Sequence, residues 1–464
     1  MPVAKKATPY HFSEQAGKNG GFATAKKPGQ ISRTQRLHSP IASSSRVKLD
    51  RADGTSRRQR KPTPSTPPAQ SLDSNVIPKL SRVNLSDLEC VRMLGDGGWA
   101  EVYLAQVKSR TTPESGAVFA MKTISKRIFR DTERNDDCWD RDIAAAKKHA
   151  ERRILSKLPW NPFIIGLLDA YVDVRNTYLM LEYAPCGTLL DHVQRTGGLH
   201  LHDALFYYSN IILGIEFLHS QGIIHRDIKT DNVLIGADGY AMITDFGLSR
   251  YIDERTEWTD HIGTISFMSP EALAKNMGSR ESRYAVDWWA AAVTFFDMLM
   301  NALPFNGVGV TKIQESVTAQ KIHYNRPVPS AIAKFFQNAF MYDLDKRFGA
   351  LSTPRPNGSM INAELRSHPL FKDIRWNRIA LRVDPAPFVP DPIPDPREEV
   401  HSRPLPEQRK LPELKLKRPP PLLEFNEIRA DAERARKRQR VEKEASETIH
   451  RAPSTTQAEA GSAA

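Results

Sequence analysis

Ile224-His225-Arg226-Asp227-Ile228-Lys229-Thr230-Asp231-Asn232 is the stretch on which the reading of this chain turns. A carboxylate, an ammonium and an amide stand at offsets of zero, two and five, just before the apolar, strand-like run Val233-Leu234-Ile235. This spacing lets Asp227 face a hydroxyl nucleophile, Lys229 an anionic group in transfer, and Asn232 a metal ion.

Working outward, the helix around Leu205–His219 is apolar on every side, which argues for a core helix leading into this loop. Beyond the loop, Tyr240-Ala241-Met242-Ile243-Thr244 reads as a strand that delivers Asp245-Phe246-Gly247; Asp245 would hold a metal ion and Gly247 permits the turn. Upstream, Glu89–Leu94 is extended, with apolar residues near alternate positions, and runs into Gly95-Asp96-Gly97-Gly98-Trp99-Ala100-Glu101-Val102. That pattern is strand, glycine-rich turn, strand. Glycines let such a turn fold over an anion and present amides to it, although a bare Gly-x-Gly is also an ordinary hairpin. Val118–Ile124 is a strand with one lysine, Lys122, 27 residues after Gly95. A strand lysine commonly snorkels to solvent; one that pairs with phosphates needs a carboxylate to fix it. Glu151, in a helical run from about Ile143 to Leu158, is the candidate, at a rather long separation of 29 residues. Thr177–Ala184 is a buried strand ending in Pro185-Cys186-Gly187, a natural hinge.

The glycine-rich loop, Lys122, the Asp227 loop, Asp245-Phe246-Gly247 and Ser269-Pro270-Glu271 follow one another in a fixed order. This set resembles the eukaryotic protein kinases over about residues 85–371. Lys229 resembles the serine/threonine class. Glu151–Leu155, Ala285–Ala290, Lys346–Gly349 and Phe371–Trp376 are similar to the AGC group, typified by cyclic-AMP-dependent kinase, and Ala386–Pro390 to the start of its C-terminal tail. The later docking motif of that tail is not evident.

The resemblance implies an α+β bilobal protein-kinase fold. A small N-terminal antiparallel sheet plus helix (about 85–182) would precede a larger, mainly helical C-terminal lobe (about 187–371). It implies ATP and Mg²⁺, with Leu94, Gly95, Gly97, Val102, Ala120, Lys122, Glu182 and Ala184 around the nucleotide and Asn232 and Asp245 on the metal. Asp227, Lys229, Lys122 and Glu151 form the implied catalytic set. Leu155, His225 and Phe246 should stack, and Glu271 should pair with Arg347. Arg226 should receive a phosphate placed on Thr259 by an upstream kinase, with Asp260 as an alternative fixed charge. Thr264 should help position the substrate hydroxyl. Asp231 and Glu315 fall where basophilic relatives hold substrate arginines, and Thr188 replaces a third acid, so a moderate basic preference is expected. Ala100 for the third glycine, Ser269 for the usual alanine and the long Lys122–Glu151 separation favour a second reading, a pseudokinase scaffold or binding module.

The formal charge of +12 is not spread over the chain. Residues 1–84 carry 16 basic and 4 acidic side chains, residues 85–380 carry 34 and 35, and residues 381–464 carry 16 and 15. The charge therefore describes a Ser/Thr/Pro-rich arm that buries too little to order itself, and says nothing of a basic core. Arg57-Arg58-Gln59-Arg60-Lys61 and Arg434-Ala435-Arg436-Lys437-Arg438-Gln439-Arg440 are clusters of the kind an import receptor, an acidic partner or nucleic acid would take. Residues 372–425 form a Pro-rich extended tail, and 426–464 a charged, solvent-exposed helix or disordered tail. Cys90, Cys138 and Cys186 lack redox or zinc spacing. No apolar run reaches membrane-spanning length. An intracellular protein, cytoplasmic and/or nuclear, acting on protein Ser/Thr acceptors without membrane insertion, is the expectation.

Overall fold

The computed structural model describes residues 87–97, 100–108, 116–126, 150–254, 263–276, 279, 281–354, 357–389, 409–410 and 425–451. The basic arm, the loop tip Gly98-Trp99, Cys138, Thr259 and Asp260 lie outside these residues.

Five strands, β1 (Leu88–Gly97), β2 (Ala100–Val107), β3 (Val118–Ser125), β4 (Leu167–Val172) and β5 (Asn176–Leu181), form an antiparallel sheet in the order β1-β2-β3-β5-β4. The period-two alternation of a strand sorts its side chains onto two faces. On β3, Phe119 and Met121 enter a buried cluster with Tyr171, Tyr178 and Met180. Val118, Ala120 and Ile124 join the opposite cluster, which contains Ile154 and Leu155 of the helical segment 150–155. Lys122 shares the parity of Ala120 and so stands on the face that looks toward Glu151.

Helices α1 (Leu189–Thr196), α2 (Leu201–Ser220), α3 (Pro270–Leu273), α4 (Ala285–Met300), α5 (Gly309–Thr318), α6 (Ser330–Ala339), α7 (Ala363–Ser367) and α8 (Trp376–Ala380) follow. Two short ribbons pair β6 (Ile223–Ile224) with β9 (Arg250–Tyr251) and β7 (Val233–Ile235) with β8 (Ala241–Ile243). Every residue of α4 is buried, and so are most of α2, as their all-round apolarity requires. Thr188 caps α1 in a box with Asp191, so the residue standing in place of a usual acid has a local structural duty. Ser269 does likewise: its hydroxyl caps α3 at Ala272 N, with Pro270 at the first helical position.

The first part of the tail read as Pro-rich and extended packs on the domain. Ala386 and Val389 are buried, and Phe388 stacks on His192 at 4.3 Å. Gly239, at φ 82°, permits this approach, since a Cβ there would stand 2.5 Å from the carbonyl oxygen of Phe388. The charged segment is a helix, α9 (Phe425–Arg451), but not a wholly solvated one. Ala432 and Ala435 are buried in the main core, and Gln439 donates to the carbonyls of Ala386 and Pro387. Alanines three apart on one face let a helix lie close, despite the charges around them. The tail also adds a short strand, Arg409–Lys410, antiparallel to Tyr171 and Val172 of β4.

Candidate active site

The Asp227 loop is held from below by one buried acid. Asp287, on α4, accepts from the backbone N–H of His225 (2.9 Å) and of Arg226 (2.8 Å) and lies 3.0 Å from His219 Nε2. Burial would raise the Asp287 carboxyl, but the bond and charge of His219, then the neighbouring His225, hold it below its ordinary value. This grip keeps Arg226 at φ 68°, an uncommon conformation for a side-chain-bearing residue. The His225 ring meets Phe246 edge-to-face at 4.9 Å, and Leu155 is buried in the same core as Phe246. Burial lowers the His225 pKa, consistent with a neutral ring bonded to the carbonyl of Thr244 at 3.0 Å.

The groups at offsets zero, two and five converge. Asp227 Oδ1 accepts from Thr264 N (2.9 Å) and Thr264 Oγ1 (2.8 Å), and Asp227 Oδ2 accepts from Asn232 Nδ2 (2.8 Å). Lys229 Nζ stands 3.4 Å from Asp227 Oδ2 and donates to Thr264 Oγ1 at 2.7 Å. A buried carboxylate, a cation and a hydroxyl thus share one small space, and the carboxylate is oriented through both oxygens. Across it, Lys122 Nζ bridges Glu151 Oε2 at 2.7 Å and Asp245 Oδ1 at 3.0 Å. Burial alone would lower the lysine pKa, but the charges of Asp245 and Glu151 raise it overall, so the amine is cationic. Asp245 is at φ 61°, and its carboxylate is 31% exposed. With the Asn232 amide nitrogen turned to Asp227, the Asn232 side-chain oxygen and the partly exposed Asp245 carboxylate are hard oxygen donors of the type that Mg²⁺ takes.

At the hinge, the Glu182 N–H donates to the Gly166 carbonyl (2.9 Å), and the Glu182 side chain accepts from Gly166 N (3.1 Å). The backbone group of Glu182 that remains for a ligand is its carbonyl. Thr188 bridges to Leu234 of β7, which ties the hinge exit to the strand following Asn232. Leu94 (37% exposed) and Val102 flank the glycine turn, where Gly95 pairs with Val102 and Gly97 with Ala100. Ala120 pairs with Leu181 across β3 and β5.

Other residues read from the sequence fall farther out. Asp231 is exposed, and Glu315 bonds Lys312 at 2.7 Å on the exposed side of α5. Arg226 Nε donates to the Leu248 carbonyl at 2.6 Å. Glu271 and Arg347 form a paired bridge of two 2.8 Å bonds, with the guanidinium over Trp289. Sequence reasoning missed Asp297. It is buried on α4, accepts from Thr230 Oγ1 at 2.6 Å, and its carboxyl is pushed up to about 6 by burial, with Asp231 adding to the rise. The available signal was a second acid, beside Asp287, in a largely apolar helix.

A sheet lobe hinged to a helical lobe, with a lysine–glutamate pair facing an Asp/Lys/Asn loop, defines a kinase-type phosphotransferase architecture. The protein kinase domain family matches residues 88–355, and the chain belongs to that family. The C. elegans ribosomal protein S6 kinase beta is 33% identical over 323 residues, covering 69% of this chain and 54% of the relative. Human protein kinase C delta type is 30% identical over 319 residues (68% and 43%). The cAMP-dependent protein kinase catalytic subunit of Dictyostelium discoideum is 29% identical over 313 residues (68% and 44%). These relatives place the chain with the AGC-group serine/threonine kinases. The chain spans about half the length of the curated relatives it matches. Among the described residues no helix is long and apolar enough to cross a membrane.

Proposed function

We propose that the chain transfers the γ-phosphate of ATP to Ser or Thr hydroxyls of protein substrates. The observation that carries this reading is the Asp227–Thr264–Lys229 triangle set against the Lys122–Glu151–Asp245 bridge. Asp227, fixed through both oxygens, orients the incoming hydroxyl and accepts its proton. Lys229 neutralises charge on the phosphoryl group in flight. Lys122, braced by Glu151, holds the α- and β-phosphates, and the hinge carbonyl of Glu182 and amide of Ala184 hold the adenine. Mg²⁺, when bound at Asp245 and Asn232, neutralises phosphate charge. Phosphoryl transfer has a loose transition state, so positioning and charge supply most of the acceleration. MgATP with a randomised Ser/Thr peptide library tests the proposal; binding of ATP without transfer to any peptide would overturn it.

Three finer readings belong to the same proposal. The carboxylates of Asp231 and Asp297 lie close enough to couple and favour a basic substrate side chain; a peptide library with no basic enrichment would remove this reading. Phospho-Thr259, added by an upstream kinase, bonds Arg226; full activity of Thr259→Ala would refute it. The basic clusters at Arg57–Lys61 and Arg434–Arg440 suit an import receptor or an acidic partner, giving a nuclear as well as cytoplasmic distribution; loss of both clusters without redistribution of the protein would contradict it.

A further inference from the structure

We infer that Arg153, through its ion pair with Glu254, is a positioning residue of the nucleotide site: it holds the helical segment that carries Glu151 against the residues around β9, so that Glu151 stays on Lys122. The inference rests on the phosphate-holding role proposed above for Lys122 and Glu151.

Glu151 and Arg153 are two residues apart in the helical segment 150–155, so at about 100° per residue they leave it on nearly opposite sides. Glu151 Oε2 reaches Lys122 Nζ of β3 at 2.7 Å. Arg153 reaches the other way. Its Nη2 stands 2.6 Å from Glu254 Oε1, and its guanidinium lies 5.8 Å from the centre of the Tyr251 ring. Four residues on, Lys157 Nζ lies 5.7 Å from the same ring. What these cations grip is firmly seated. β9 pairs with β6, which runs straight into His225 and the Asp227 loop. Ile252 is buried and donates its N–H to the Gly222 carbonyl at 2.8 Å, and Glu254 N donates to the Tyr251 carbonyl at 3.1 Å. Packing does less on this side of the segment. A cleft of about 340 Å³, lined by Lys157, Leu158, Gln221, Ile223 and Tyr251, opens between its end and the β6–β9 ribbon. Ile154 and Leu155 bury the inner face, but apolar burial is non-directional and tolerates rotation about the helix axis. A charge pair on the side away from Glu151 opposes that rotation. Its side chains are 43% and 21% exposed, so it adds little to global stability; its contribution is to where Glu151 points.

The test is a charge swap in the full chain, read as Kd for MgATP by titration. Arg153→Glu and Glu254→Arg each set like charges together and should weaken binding about five- to tenfold, with melting temperatures within about 3 °C of wild type. The double variant Arg153→Glu/Glu254→Arg restores the pair in reverse and should bind MgATP within about twofold of wild type. Glu151→Gln should by itself weaken binding about tenfold. On that background Arg153→Glu should cost less than about twofold further, because no carboxylate is left to position, whereas a merely structural loss would multiply with it. Arg153→Gln, which removes the charge without reversing it, carries the test with a loss of about two- to fivefold if a reversed variant does not fold. A Glu151→Gln protein that binds MgATP as wild type does would sink the Lys122–Glu151 reading and this inference with it. A weakened Glu151→Gln, beside charge variants that keep full affinity, are not rescued by the double variant, or multiply with Glu151→Gln, would sink this inference alone.

Discussion

Asp297→Asn should make the protein more stable and less able to hold a basic substrate. The residue is 7% exposed, and its pKa is raised by burial to about 6, against 3.8 in an unexceptional setting. Because folding raises the pKa of an acid, the folded chain holds this proton more tightly than the unfolded one. The resulting penalty is absent below pH 3.8, grows between 3.8 and about 6, and is present in full above that. The difference corresponds to about 3 kcal/mol of lost stability at neutral pH. Asparagine keeps an acceptor for Thr230 Oγ1 but gives up a charge-assisted bond, so a net gain of about 2 kcal/mol is expected. Urea unfolding of both proteins from pH 4 to 7.5 measures it, with the advantage of the variant vanishing at the acidic end. KM for an arginine-bearing peptide should rise about tenfold in the variant, while a neutral peptide is unaffected. A variant no more stable than wild type at pH 7.5, or an advantage that grows on acidification, would refute the reasoning.

Arg347→Ala should lower unfolding stability by about 3–5 kcal/mol in denaturant melts, because it strands Glu271 without its two-bond partner and removes the cation from the Trp289 ring. Thr264→Val should cut kcat about ten- to a hundredfold with KM for ATP nearly unchanged, since Asp227 loses the hydroxyl that orients it while the nucleotide contacts remain; an unchanged kcat would remove Thr264 from the site.

Much of the architecture is legible in local pattern. The parity of β3 places Lys122 beside Ala120, and the unbroken apolarity of α2 and α4 predicts their burial. The Asp227 loop is legible because its three side chains are close in sequence. Lys122 and Glu151 meet at 2.7 Å despite a 29-residue separation; chain distance limits loop closure only weakly, so the gap carried little information. What local pattern hid was long-range. Arg409–Lys410 has no strand signal of its own and pairs only because the edge of β4 offers unpaired backbone. Ala432 and Ala435 looked like filler among charges, but their spacing of three is a packing face. Ser269 and Thr188 looked like departures from a family pattern, yet each caps a helix, a role that Ser-Pro and Thr-x-x-Asp do signal locally. Asp297 was passed over because nothing near it in sequence pairs with it; Thr230 and Asp231 reach it only through the fold.

The central claim is that Asp227, oriented by Thr264 and Asn232, accepts the proton of a Ser or Thr hydroxyl as the phosphoryl group moves. The direct measurement is the rate of phosphate transfer from MgATP to the best library peptide by wild type and by Asp227→Asn, with ATP affinity and melting temperature recorded for both. Wild type should turn over, and the variant should bind ATP and melt as wild type does while its kcat falls about a hundred- to ten-thousandfold. A folded, ATP-binding wild type that transfers nothing, or an Asp227→Asn protein with near-wild-type turnover, would contradict it.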